Sequence, residues 1–554
     1  MDPSPAQAIG AGPPTAACVT GHRSWESSSS STSRAPVPAT APPGRLRRLA
    51  DDRAALAVVA MMAVYAGGFA WLSVARHRSF STGRFDLGNM VQALWNTAHG
   101  RFFETTDVSG VQFNRLGAHV DLVLAMFTPL WLAWPSPEML LVAQAVIVAT
   151  GALPAFWLGR RWLRDDRLAV AFAGIYLLFP ALQHATLFDF HPVTLAAPLL
   201  MYCIWAAEER HYVVLGVCAA LACLTQEQVG LVVAGLAVWM WFRHPDRRRA
   251  ATILAAGSIA WVVIAIGVIM PAFAIDGSNP HITRYSNLGD SPSEILTTFV
   301  TRPWDAFGVL VTPGRFVYLA ALLLPLLLLP LAAPLLAVAA LPQLLINLFA
   351  SSGPVQSVQY HYAVLLVPFL VAAAMLGLAR LMERGRPARL AKFLTHPGLV
   401  AGVLVAAVVL AGARQGPLPI WGWLPGGWSG SPLHAFTRDD QAKALQRAVD
   451  IIPPDARVSA VNVAGAHLSE RRRVLLFPNR IGNAQYVVVA DSERLRQMAQ
   501  QRPTLRPPGY RFAALRLARS NRWEVVFEQD EVRVYRRIPR PAVPAGGLNG
   551  GLAG

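Results

Sequence analysis

Cysteine and charge are both scarce in this sequence: four cysteines occur in 554 residues, and charged residues make up 15%. Cys18 lies in a polar amino-terminal stretch and Cys203, Cys218 and Cys223 in apolar runs, so neither a disulfide framework nor a metal-ligand spacing follows. A Walker loop, a Rossmann glycine pattern after a strand, a zinc spacing and a Ser-centred elbow are missing too. Chemistry driven by cytoplasmic ATP is therefore not expected. The first residues lack the basic start and apolar core of a cleavable signal, so the first apolar segment is expected to stay in place as its own targeting signal.

What the sequence has instead is apolar surface. Hydrophobic residues reach 54%, arranged in long blocks rather than in alternation, which is the composition of a polytopic membrane protein embedded in a lipid bilayer. The net charge of +17 falls in short basic clusters between those blocks, so it reports orientation in a membrane and implies no nucleic-acid partner. Apolar spans can be placed at 54–75, 138–158, 168–187, 193–207, 211–224, 229–243, 252–274, 316–332, 334–350, 361–380 and 396–413, about 11 transmembrane helices, with 119–134 as a re-entrant or interfacial segment. The basic clusters at 45–48, 160–167, 208–211, 243–249 and 380–392 then all fall on the cytoplasmic side, with the amino terminus inside and the carboxyl terminus outside. Residues 1–44 form a tail too poor in apolar groups to fold, 45–414 the membrane domain, 415–435 a Gly, Pro and Trp-rich linker, 436–538 a small extracytoplasmic α/β domain and 539–554 a flexible end.

That threading collects the unusual polar residues on the external face. Asp86, in "RFDLGN", opens a helical pattern, where it is either a cap for free amides or a ligand-contacting carboxylate. "LFDFHP" sets Asp189 two residues from His191, a pair that can orient one another, hold a divalent cation, grip a phosphate or simply meet interfacial water. Glu227 lies in a turn between two apolar runs, where an ionisable group is either exposed or, at membrane depth, functional. Arg115, His119, His281, Arg284, Tyr285, Asp290, Tyr360, His361 and Tyr362 complete the face; arginine suits bidentate phosphate contact, and Tyr or His suits sugar hydroxyls, although interfacial tyrosines are common.

The segments "FDLGNMVQALWNTAHGRFF", "LGAHVDLVLAMFTPLW", "LFDFHPVTLAAPLL", "EQVGLVVAGL", "RYSNLGDSP", "QYHYAVLLVPFL", "IPPDARVSAVNVAGAHLSERRRVLLFPN" and "QYVVVAD" resemble, in order over about residues 55–537, an uncharacterised bacterial family of polytopic membrane proteins, domain of unknown function 2079. Where that family's pattern has Lys-Glu-Asp before "VGL", this chain has Gln226-Glu227-Gln228, keeping the central Glu alone. The family's layout is similar to that of GT-C membrane glycosyltransferases. The resemblance implies a GT-C-like helical membrane protein that moves a sugar from a polyprenyl-phosphate donor to an extracytoplasmic acceptor. Asp86 would be the catalytic base; Arg284 and His361 would meet the donor phosphate; Asp189, His191 and Glu227 would line the cavity or hold a divalent cation; and Tyr285, Arg115 and His119 would contact substrate. The competing readings are a transporter or lipid flippase, with these groups as a proton or substrate path, and a sensor or scaffold.

Overall fold

The computed structural model describes residues 52–275, 281–383, 392–424, 433–490 and 510–539; the tail expected at 1–44, the basic cluster at 45–48 and all but the first residue of the end expected at 539–554 lie outside them. The first long helix, Arg53–Arg78, begins where the Asp52 side chain accepts from the Ala55 amide at 3.0 Å and ends on Arg76, His77 and Arg78, which suit the negative end of the helix dipole. Among the described residues, five runs are long and apolar enough to cross a bilayer: Arg53–Arg78, Pro137–Leu163, Pro245–Phe273, Gly353–Glu383 and Pro397–Gln415. Asp166–Leu178 and Pro180–Leu187, bent by 45° at Pro180, make a sixth if the pair is one broken span. Tyr212–Cys223 and Val229–Arg243 are apolar but shorter, and 119–134 holds another short apolar helix, Leu122–Ala133.

The two spans expected at 316–332 and 334–350 are not continuous helices. Prolines recur through this stretch, and each removes an amide donor. The chain breaks into Pro313–Leu323, two single 3-10 turns, Pro334–Val338 and Leu341–Phe349, with Leu327 and Leu328 forced to φ of 50° and 59° between them. One large apolar core joins most of the helices, and a second core holds the loop that follows Arg53–Arg78 against Leu122–Ala133.

The basic clusters at 160–167, 208–211 and 243–249 gather at one end of the bundle through ion pairs. Arg160 bridges Asp52 at 2.6 Å and Asp166 at 2.7 Å, Arg161 meets Glu209 at 3.2 Å, Glu208 meets His244 at 3.1 Å and Arg210 meets Asp246 at 2.6 Å. The opposite end carries the loop that follows Arg78, and Arg78 itself pairs with Glu138 at the start of the next long helix.

The carboxyl-terminal part folds as a five-stranded sheet: β3 Val458–Ala460, β4 Val474–Leu476, β5 Tyr486–Ala490, β6 Trp523–Gln529 and β7 Val532–Arg537, in the order β4-β3-β5-β7-β6. β3 pairs parallel with β4 and β5, while β5, β7 and β6 run antiparallel. A smaller hairpin, β1 Glu104–Thr106 with β2 Gln112–Asn114, sits in the first loop. The sheet domain is seated on that loop. His467 stacks on His77 at 4.0 Å and on Phe80 at 3.8 Å, the Phe85 amide donates to Asn462 Oδ1 at 3.0 Å, and Gln92 donates to the Arg472 carbonyl at 2.9 Å. Close approach there requires glycine: a Cβ on Gly465 would lie 2.7 Å from the Arg84 Cβ, and one on Gly83 would lie 2.5 Å from Asn462.

Candidate functional site

Asp86 sits in a single π-turn, Arg84–Gly88, that leads into the helix Asn89–Ala98. The amides around this turn are taken by a different carboxylate: Asp189 Oδ2 accepts from Gly83 at 3.0 Å and from Leu87 at 3.4 Å. Asp86 is turned instead toward His191, with Oδ1 3.4 Å from Nε2. The backbone that delivers Asp189 and His191 is held from within the bundle. Gln144, fully buried, donates to the carbonyls of Asp189 at 2.8 Å and Thr186 at 3.0 Å and accepts from the His191 amide at 3.0 Å. Asp189 itself has φ 48°, a left-handed residue that turns the chain sharply after the helix Pro180–Leu187.

The His191 ring is defined on both sides. Nδ1 lies 3.2 Å from the Phe188 carbonyl, which can only accept, so Nδ1 carries a hydrogen. In the neutral ring Nε2 then presents a lone pair toward Asp86; protonated, it forms an ion pair with it. The face of His191 stacks on His361 at 3.9 Å. Burial, and after it the nearby charge of Asp86, push the Asp189 carboxyl above its ordinary range.

A second group lies alongside. Glu227 Oε1 is 3.1 Å from His119 Nδ1, Oε2 accepts from the Val120 amide at 3.0 Å, and His119 stacks on His281 at 4.3 Å. Burial opposes ionisation of Glu227, but the charge and hydrogen bond of His119, with help from His281, hold it down at about 2. Burial lowers His281 to about 3, reinforced by the charges of His119 and Arg284. The two groups are joined by contacts: His361 lies 4.2 Å from Tyr362, whose ring carries Arg284 at 5.5 Å, and the Arg284 amide donates to the His281 carbonyl at 3.1 Å. A chain of contacts therefore links Asp86, His191, His361, Tyr362, Arg284, His281, His119 and Glu227.

Other expected residues are occupied elsewhere. Arg115 is bound by Asp121 through a buried bidentate pair, the shorter bond 2.6 Å, six residues along the chain. The Tyr285 hydroxyl donates to the Ile346 carbonyl at 3.3 Å, and its ring packs in a satellite core. The cation group expected from Asp189, His191 and Glu227 is not the one that converges. Asp189 Oδ2 is committed to backbone amides, and the His and carboxylate atoms that come together are those of His119, Glu227 and His281, within 4.8 Å of one another. Two contributors carry no obvious sequence signal of a site. Gln144 stands alone as an amide in an apolar run, and Arg84 is buried with its guanidinium donating to the Thr106 carbonyl, its pKa pulled to about 10 by burial against the opposing charge of Asp107.

No protein of curated function matches the chain in sequence. Among solved structures, ArnT from Cupriavidus metallidurans bound to undecaprenyl phosphate aligns at a TM-score of 0.47 with 11% identity, over 87% of this chain and 98% of that one. The same protein in the apo state aligns at 0.46 with 12% identity, over 84% and 97%. A family described as "Predicted membrane protein (DUF2079)" matches residues 76–534. With multiple apolar helices and that match over most of its length, the chain is a multi-pass membrane protein and belongs to the DUF2079 family.

Proposed function

We propose that the protein is a membrane glycosyltransferase that moves a sugar from a polyprenyl-phosphate donor to an extracytoplasmic acceptor, with Asp86 as the base. The observation that carries this reading is the Asp86–His191 pair: a nearly buried carboxylate 3.4 Å from an imidazole nitrogen whose tautomer is set by the Phe188 carbonyl. A carboxylate so placed accepts a proton from a hydroxyl nucleophile, and the imidazole lone pair beside it provides a second position for that proton. The donor class comes from the family's GT-C-like layout and from the chemistry of the surface. Arg284 offers a permanently charged guanidinium for a lipid phosphate, and His361, stacked on His191, stands between it and the base.

The reaction is a direct displacement. The acceptor oxygen bonds to the anomeric carbon, the bond from that carbon to the phosphate oxygen breaks, and the acceptor's proton passes to Asp86. The polyprenyl phosphate leaves with the bonding pair and its charge is met by Arg284. In this arrangement the bundle end bearing Asp86 faces the cell exterior, and the end bearing the Arg160, Arg210 and Arg247 clusters faces the cytoplasm.

The test is sugar transfer by purified wild type and Asp86→Asn with a panel of polyprenyl-phosphate-linked sugars. Wild type is expected to turn over at least one donor, and the variant to be slowed about 100-fold or more, the usual contribution of a general base. Equal turnover removes Asp86 from the chemistry. An inactive wild type with every donor turns the reading toward transport.

A further inference from the structure

We propose that His119, Glu227 and His281 form a binding site for one divalent transition-metal ion of the zinc type. The three residues come from separate parts of the chain: the segment after β2, the turn between Tyr212–Cys223 and Val229–Arg243, and the segment after Pro245–Phe273. Their ligand atoms nevertheless all lie within 4.8 Å of one another.

The surroundings are those of a metal site. His281 Nε2 donates to the Ala118 carbonyl at 2.8 Å, which fixes the tautomer that leaves the lone pair on Nδ1, the usual outer support of a ligating histidine. Glu227 Oε2 is oriented by the Val120 amide. His119 Nδ1 is in a conflict: the Gln226 amide nitrogen lies 2.9 Å away and Glu227 Oε1 3.1 Å away. Gln226 Oε1 already accepts from Gln228 at 2.8 Å, which aims its N–H groups at the ring, so Nδ1 is asked to accept while it also faces a carboxylate oxygen. A cation between Nδ1 and Oε1 takes a lone pair from each and removes the opposition of nitrogen and carboxylate, with the Gln226 amide then turned away from the ring. Their 3.1 Å separation is close to the roughly 3.3 Å between two ligands held about 2.0 Å from a tetrahedral ion. Two imidazoles and one carboxylate select a zinc-like ion over Mg²⁺ or Ca²⁺, which prefer oxygen alone, and three protein ligands leave one position open. For its role, though not for its existence, the site rests on the transferase reading: the Arg284 amide donates to the His281 carbonyl at 3.1 Å, so the arginine proposed for the donor phosphate adjoins the metal, whose open position would take a phosphate oxygen.

The experiment titrates Zn²⁺ into the purified, chelator-stripped full chain by calorimetry, with metal content measured after gel filtration. One equivalent is expected for wild type and for Asp189→Asn, with affinity lowered about 100-fold or more in Glu227→Gln and His281→Ala. Should His281→Ala fail to fold, His281→Gln keeps an N–H for Ala118 and loses the imidazole. No Zn²⁺ bound by wild type, with a proton alone between His119 and Glu227, overturns the proposal, as does equal affinity in Glu227→Gln and the His281 variant. None of these readings involves sugar transfer, so the site stands or falls separately from the proposed reaction.

Discussion

Arg115 illustrates how one residue's neighbours decide its use. In the sequence it resembles a phosphate-binding arginine on the external face, but Asp121 takes both its Nε and Nη2 in a buried pair. Such a pair contributes little compared with an apolar replacement, yet breaking it leaves a buried charge without its partner. Asp121→Asn is therefore expected to cost about 3–5 kcal/mol, seen as a lower melting midpoint in detergent. Arg115→Met combined with Asp121→Leu should recover most of that loss. A melting point unchanged by Asp121→Asn would return Arg115 to the ligand-binding set. Asp86 shows the reverse. Its type and position suggest a helix cap, but Asp189, 106 residues from the Gly83 amide it accepts, does the capping and leaves Asp86 turned to His191. Contacts of that range leave no local trace, which is why the carboxylates themselves were legible in the sequence and their division of labour was not.

Among the elements, the most legible were those whose period or composition is strong. The apolar blocks gave the long helices, and the β-branched runs near 458, 474 and 486 and the hairpin at 523–537 gave the sheet. The stretch 313–349 was less legible because its hydropathy describes burial while its prolines dictate shape, and shape prevailed. The π-turn Arg84–Gly88 is held from two sides, by Asp189 below and by the helix Asn462–His467 above. Gly465→Val, placing a branched side chain against Arg84, should push that helix away. Hydrogen exchange of the amides in 83–88 is then expected to quicken at least about tenfold, while β5 and β7 keep their protection, since they lie within the sheet's own core. Unchanged exchange at 83–88 would show that Asp189 alone holds the turn.

At the scale of the whole molecule, ion pairs gather the basic clusters at 160–167, 208–211 and 243–249 at one end, and the sheet domain covers the other. Charge pattern made this sidedness legible, because the positive-inside rule acts on the sequence directly; the seating of the last domain on the first loop was not, since nothing in either segment announces the other. In a variant without native cysteines, Ser520→Cys should react with a membrane-impermeant maleimide in intact cells, and Arg164→Cys should react after lysis alone. The opposite pattern would invert the protein in the membrane. The domain's seat also sets an order of assembly. The Phe85 amide and Asn462 are 377 residues apart, so at about 5–20 residues per second the loop bearing Asp86 emerges roughly 20–75 s before its partner is synthesised. A ribosome that stops short of that domain leaves the described membrane helices made and the Asp86 turn without its outer wall, so the candidate site is complete only after that domain has been synthesised.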